Sequence, residues 1–167
     1  PLEQKNVKKP EEGNFLTERI RVGKTIPELA IERHTVVVEL DAPKHLEMTG
    51  YIEAAKALKQ AGADAITLAD NSLATPRISN IAVAKLLIEQ GIRPLVHLTC
   101  RDRNLIGLQS HLMGLHTLGI TEMLVITGDP TKIGDFPGAT SVFDVNSFQL
   151  IELIKKGNKG SSFSGKS

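Results

Sequence analysis

A carboxylate beside an apolar run is the first feature of this sequence that suggests chemistry. Glu39 lies in the run 36–40, after three consecutive valines. A charged group in such a strand is costly unless it is paired, faces a cavity or holds a proton. Burial raises the pKa of a carboxylic acid and makes it a useful proton donor near neutral pH. Glu39 is therefore a candidate acid, and a salt bridge to a basic residue of a neighbouring strand is the alternative.

Polar residues also follow three later apolar runs, in segments 67–72, 97–102 and 127–130. In parallel α/β folds the ligand binds at the carboxyl ends of the strands, so these segments are candidates for ligand contact. His97 is one candidate, although a core histidine bonded to a backbone carbonyl is the alternative. Gly128 permits close approach of the backbone to a ligand, or forms a simple turn.

The composition argues against several classes of function. Twenty Lys and Arg against nineteen Asp and Glu give a net charge of +1 without a basic stripe, so we predict no nucleic-acid partner. The apolar runs are far shorter than the roughly 18 residues of a membrane-spanning helix, so we expect no membrane insertion and a cytoplasmic protein. Cys100 is the only cysteine. The histidines outside position 97 lack the spacing of zinc ligands, and we predict no metal site.

One local pattern recurs along the chain: an amphipathic helix, a glycine and a short β-branched run. The glycines of three repeats, Gly62, Gly91 and Gly119, are 29 and 28 residues apart, close to the roughly 30 residues of a βα unit. A first strand over 35–40 lies one period earlier, which makes four units. The predicted helices cover 49–60, 78–88 and 105–115, and a fourth begins after an N-cap at Asp144.

Apolar strands that alternate with helices predict an α/β fold with a parallel sheet covered by helices. Two architectures satisfy this pattern: an open doubly wound sheet and a (β/α)8 barrel of the TIM type. Four units would be half of such a barrel. In both architectures the polar strand ends lie along one edge of the sheet.

Four segments of the chain carry a resemblance to a known family. VVVELDAPK, DAITLADNSLATPR, PLVHLTCRDRN and LVITGDP, in this order and spacing, resemble the methylenetetrahydrofolate reductase family, a group of flavin-dependent (β/α)8 barrels. The chain is similar in particular to the reductase part of bacterial bifunctional proteins that also contain a homocysteine S-methyltransferase. The resemblance implies reduction of 5,10-methylenetetrahydrofolate to 5-methyltetrahydrofolate through FAD, with NADH or NADPH as hydride donor.

The same resemblance implies roles for individual residues. Glu39 matches the general acid that protonates the folate as its five-membered ring opens to an iminium ion. Asp129 matches the acidic residue near the pterin and the flavin, where a negative charge favours a cationic iminium. The positions that match flavin contacts are Thr67, Leu68, Asp70, His97, Thr127, Gly128, Asp129, Ser141 and Val142.

The resemblance also suggests how the chain is organised. We expect a linker or N-terminal extension over 1–30 with a possible short helix, the N-terminal half of the reductase barrel over 31–156, and a truncated tail over 157–167. The resemblance implies a folate as the small-molecule substrate. We also consider a homo-oligomer, and a fragment that is inactive by itself. Two other hypotheses remain open: a pterin-binding methyltransferase barrel, and a non-catalytic half-barrel that serves as an assembly module.

Overall fold

The computed structural model describes residues 23–165. Most of the predicted linker lies outside these residues, as do the last two residues of the predicted tail. The first described element is helix α1, Ile26–Glu32. Thr25 and Glu28 form a capping box at its start: each side chain accepts a hydrogen bond from the backbone N–H of the other. This helix crosses the predicted boundary between residues 30 and 31.

A four-stranded parallel sheet forms the centre of the fold. Its strands are β1 (Val37–Glu39), β2 (Ala65–Leu68), β3 (Pro94–Thr99) and β4 (Met123–Ile126), in the order β1-β2-β3-β4. The helices that follow the strands are α2 (Thr49–Gln60), α3 (Asn80–Glu89), α4 (Leu105–Thr117) and α5 (Ser147–Gly157). The predicted α/β alternation and parallel order are confirmed. β1 is shorter than the predicted strand over 35–40.

The register of the strands divides their side chains between two faces of the sheet. Successive side chains of a strand alternate between faces, and register partners share a face. Ile66 and Leu68 lie beside Pro94 and Val96 on one face, where α2, α3 and α4 supply most of the rest of the larger apolar core. A second core packs Leu98 and Cys100 against α4 and α5. The opposite face carries Glu39, Thr67 and His97.

The ends of the helices follow local rules that the sequence only partly revealed. Gly62, Gly91 and Gly119 all have positive φ angles just after a helix, as expected for glycines that end helices in a left-handed conformation. The prediction that Asp144 caps the last helix is wrong. Asn146 caps α5 in a capping box with Gln149.

Asp144 instead binds a neighbouring helix. Its Oδ2 accepts a hydrogen bond from the N–H of Leu105, the first residue of α4, at 3.0 Å. Asp144 and Asn146 both carry acceptor side chains in front of the apolar periodic segment of α5. Only their three-dimensional placement distinguishes them. Within residues 23–165, no helix is long and apolar enough to cross a membrane.

Candidate active site

Glu39 and Thr67 occupy paired positions of β1 and β2 near the carboxyl edge of the sheet. They are register partners, so their side chains leave the sheet on the same face. Glu39 is exposed, and the expectation of a semi-buried carboxylate is therefore wrong for this structure. The reason is its strand: β1 lies at the edge of the sheet, where the described residues provide a strand neighbour on one side only.

Thr67 and His97 are buried on this face, and both are only 8% exposed. Leu95 is the register partner of Thr67, and His97 follows two residues later, which places it on the same face. The hydroxyl of Thr67 and the Nε2 atom of His97 have no hydrogen-bond partner within the described part of the chain. Such buried, unsatisfied atoms are uncommon in proteins and call for an explanation.

Asp70, at the end of β2, has a structural set of partners. Its carboxylate accepts hydrogen bonds from the N–H of Thr99 at 3.0 Å and from the hydroxyl of Thr99 at 3.2 Å. Arg103 donates to both carboxylate oxygens, at 2.7 and 3.1 Å. Asp70 is 4% exposed, and its hydrogen bonds join the end of β2 to the loop after β3. Its oxygen atoms are thus already committed to the protein.

Arg101 connects the loops that follow three strands. It is 1% exposed, and its guanidinium donates to both carboxylate oxygens of Asp102, at 2.7 and 2.8 Å. It also donates to the carbonyl oxygens of Asn71 and Asp129, at 3.0 and 3.2 Å, and more weakly to that of Asp70 at 3.4 Å. Arg101 was not among the predicted site residues. Its position directly after the apolar run of β3 was the available signal.

Arg101 and Asp102 stabilise each other's charges. Burial disfavours the ionised form of Asp102, but the guanidinium of Arg101, together with Asn71 and Arg103, outweighs this effect, and the pKa of Asp102 is lowered. The hydrogen bonds to Asp102 raise the pKa of Arg101, although burial opposes them.

Cys100, the residue before Arg101, is fully buried, and burial raises the pKa of its thiol. It is therefore a poor nucleophile.

Asp129 and Gly128 form the rim after β4. The carboxylate of Asp129 accepts a hydrogen bond from the N–H of Leu73 at 3.2 Å, in a loop where Asn71, Leu73 and Ala74 all have positive φ angles. Gly128 has a φ of +95°, and a Cβ atom there would lie 3.1 Å from the Cβ of Thr99. A side chain at position 128 would therefore be strained and crowded.

Comparison with known proteins decides the family. The family model described as methylenetetrahydrofolate reductase matches residues 25–166. The chain belongs to the methylenetetrahydrofolate reductase family. No curated protein matches the chain. Membership in this family implies an oxidoreductase of one-carbon metabolism that acts on methylenetetrahydrofolate.

The remaining flavin-contact positions implied by the reductase resemblance differ in what their side chains do. Leu68 is fully buried in the larger apolar core, so its backbone atoms alone can meet a ligand on the opposite face. The hydroxyl of Thr127 accepts from the N–H of Ser147 at 3.2 Å, at the start of α5. Ser141 shares a hydrogen bond with Thr131 at 2.9 Å. The N–H of Val142 donates to the carbonyl of Arg101 at 2.8 Å.

A groove of about 430 Å³ lies at the other edge of the sheet, away from these reductase positions. It is lined by the loops that precede β2 and β3, together with Leu29 of α1, Lys59 of α2 and Ala65 of β2. In α/β barrels this amino-terminal edge contributes to stability, whereas the carboxyl edge carries the active site. We therefore place the candidate site at the carboxyl edge. Among residues 23–165, no three His, Cys, Asp or Glu side chains are grouped in a way that could hold a metal ion.

Proposed function

We propose that this chain supplies the flavin and folate side of a methylenetetrahydrofolate reductase. The product would be 5-methyltetrahydrofolate. Bound FAD would supply hydride transfer, taking a hydride from NADH or NADPH and delivering it to the folate. The observation that carries the proposal is the pair of buried, unpartnered polar atoms on Thr67 and His97, which share one face of the sheet near its carboxyl edge.

These two atoms fit a heterocycle that presents hydrogen-bonding groups at its edge. A threonine hydroxyl can both donate and accept, and a neutral histidine can do either through Nε2. A ligand that bonds both atoms would remove the cost of leaving them unsatisfied. At the same edge, Gly128 packs closely against Thr99 and Arg101, and the space that its Cβ atom would take is filled by these residues.

Two carboxylates have roles in the proposed reaction. Glu39 would donate a proton to the folate as its five-membered ring opens to the iminium ion, and the hydride then reduces this ion to the methyl group. A folate bound on this face would cover the exposed Glu39. Asp129 would supply a negative charge that favours the cationic iminium. Its link to the loop of Leu73 holds it at the rim.

We further propose that the four βα units belong to a (β/α)8 barrel. The outer edges of β1 and β4 have no strand partner among residues 23–165, and the face that carries Glu39 would become the inside of the barrel. In this proposal 31–156 forms the N-terminal half of the barrel, 1–30 is a linker from a methyltransferase domain, and 157–167 leads onward. Apolar side chains are exposed on the same face, such as Leu124 at 45% exposure. This exposure supports the proposal that further barrel elements cover the face.

Titration with FAD and with a folate tests the proposal directly. The purified chain should quench flavin fluorescence on binding, and variants Thr67→Val and His97→Phe should each weaken that binding. The exposed variant His116→Gln, on the outer side of α4, is the matched control and should bind FAD like the parent chain. Folate binding without flavin binding would instead support a pterin-binding methyltransferase. Binding of neither ligand would contradict both functions and favour an assembly module.

A further inference from the structure

All three nitrogen atoms of the Arg101 guanidinium donate hydrogen bonds. Two of its nitrogen atoms hold the carboxylate of Asp102, and the remaining donors reach backbone carbonyls of Asn71 and Asp129. These carbonyls belong to the loops after β2 and β4, whereas Arg101 itself follows β3. One side chain thus fixes three consecutive rim loops relative to each other.

Burial of a guanidinium is costly unless its donors are satisfied and its charge is balanced. Asp102 balances the charge, and it remains partly exposed while Arg101 is almost completely enclosed. Apolar side chains could fill the same space without this cost, but they could not hold carbonyl oxygens in a fixed direction. The planar fork of arginine can do so, and the flexible ammonium group of lysine cannot.

The contact with Asp129 has a direct consequence for the site. Arg101 holds the carbonyl of Asp129, so the backbone from which the Asp129 carboxylate projects is fixed. That carboxylate in turn accepts the N–H of Leu73. The Cβ position of Gly128 would meet the Cβ of Arg101 at 3.5 Å, which shows how closely Arg101 packs against the same segment.

We propose that Arg101 is the positioning residue for Asp129. It acts through the carbonyl of Asp129 and directs the carboxylate towards the folate and the flavin. This inference rests on the proposed function, since it assigns Arg101 to the same site. Misplacement of a reacting group by about 1 Å can cost about 100-fold in rate, so loss of the guanidinium fork should affect the folate reaction strongly.

A double-mutant cycle between Arg101→Lys and Asp129→Asn tests this role. With FAD bound and reduced, Arg101→Lys should slow oxidation of the flavin by the folate at least about tenfold. In the Asp129→Asn background the same change should slow it less than about twofold, because the lost contact acts through Asp129. Equal losses in both backgrounds would show a merely structural role and overturn the inference. Arg33→Lys is the control, because Arg33 is an exposed arginine that pairs with a carboxylate, Asp64, at the opposite edge.

Amide hydrogen exchange provides a readout that needs no bound flavin. The N–H of Leu73 should exchange faster in Arg101→Lys, because the Asp129 carboxylate that protects it is released, while amides of β2 keep their protection. Asp102→Asn, which keeps the guanidinium but removes its balancing charge, should produce a smaller change in the same direction. Unchanged exchange at Leu73 in both variants would refute the positioning role. A chain with rapid Leu73 exchange in Arg101→Lys but without folate reduction would refute the proposed function alone.

Discussion

Thr67 of β2 and His97 of β3 share one face of the sheet, and each buries a polar atom that has no partner among the described residues. Thr99, two residues after His97, lies on that face as well, but its hydroxyl donates to Asp70 at 3.2 Å. The two threonines are similarly buried, at 8% and 2% exposure. They therefore allow a comparison between a hydroxyl that we propose binds a ligand and a hydroxyl that is bonded within the fold.

Thr67→Val should leave the free energy of unfolding of the ligand-free chain nearly unchanged, because it removes a buried hydroxyl that lacks a partner. Thr99→Val should lower it by about 1.5–3 kcal/mol, the usual value of a hydrogen bond to a charged group. The same Thr67→Val change should weaken FAD binding, with a loss of about 0.5–1.5 kcal/mol in binding free energy. Denaturant unfolding and flavin titration measure the two quantities. A strongly destabilised Thr67→Val chain would show that its hydroxyl serves the fold.

Gly128→Ala should destabilise the fold. A left-handed φ costs a residue with a side chain roughly 1–2 kcal/mol, and the new Cβ would also press against Thr99 at 3.1 Å. Gly50→Ala is the matched control, because Gly50 lies in α2 with no atom within 4 Å of its Cβ position. This second change should stabilise by about 0.5 kcal/mol. Thermal unfolding measures the stability of both variants. Equal changes in the two would contradict the crowding and positive φ angle at Gly128.

Glu39→Gln should slow the folate half-reaction by about 10²–10⁴-fold, the usual contribution of positioned proton transfer. Glutamine keeps the size of the side chain but cannot deliver the proton. Reduction of the flavin by the nicotinamide cofactor needs no proton from this position and should be retained. Stopped-flow absorbance separates the two half-reactions. Glu53→Gln is the control for loss of a surface carboxylate, because Glu53 is exposed on α2 and pairs with Lys56. If Glu39→Gln slowed both half-reactions equally, Glu39 would be a structural group and not the proton donor.

His111 should make the fold sensitive to mild acid. Burial, together with the nearby charge of Arg103, lowers the pKa of His111 in the folded chain. The unfolded chain, with a histidine pKa of about 6.5, therefore binds a proton first as the pH falls. The stability that His111 contributes is fully present above about pH 6.5 and is lost as the pH falls towards the lowered folded pKa.

The variant His111→Gln removes this titration. Its free energy of unfolding should decline less than that of the parent chain between about pH 7 and pH 5. His116→Gln, which alters an exposed histidine in the last turn of the same helix, should keep the parental slope. Denaturant unfolding at several pH values measures the slopes. Parallel slopes for all three chains would show that His111 does not contribute to the acid sensitivity.

The sequence by itself determined the order of elements. Short apolar runs and apolar positions at helical spacing are local properties of the chain, and they led correctly to four parallel strands and the helices between them. The glycines after three helices were also visible, because a left-handed residue at a helix end favours glycine regardless of tertiary context. The choice between Asp144 and Asn146 as the cap of α5 was not visible, because both side chains can accept a backbone N–H.

Only the tertiary structure decided which polar side chains serve the fold and which remain available. Asp70, Thr67 and His97 were equivalent candidates in the sequence, since each lies near the end of an apolar strand. Folding gave Asp70 partners in Thr99 and Arg103 and left the Thr67 hydroxyl and the His97 Nε2 atom without a partner among the described residues. Arg101 became the link between three loops for the same physical reason. Hydrogen bonds depend on direction and distance between segments some thirty residues apart, and residue type alone does not fix either.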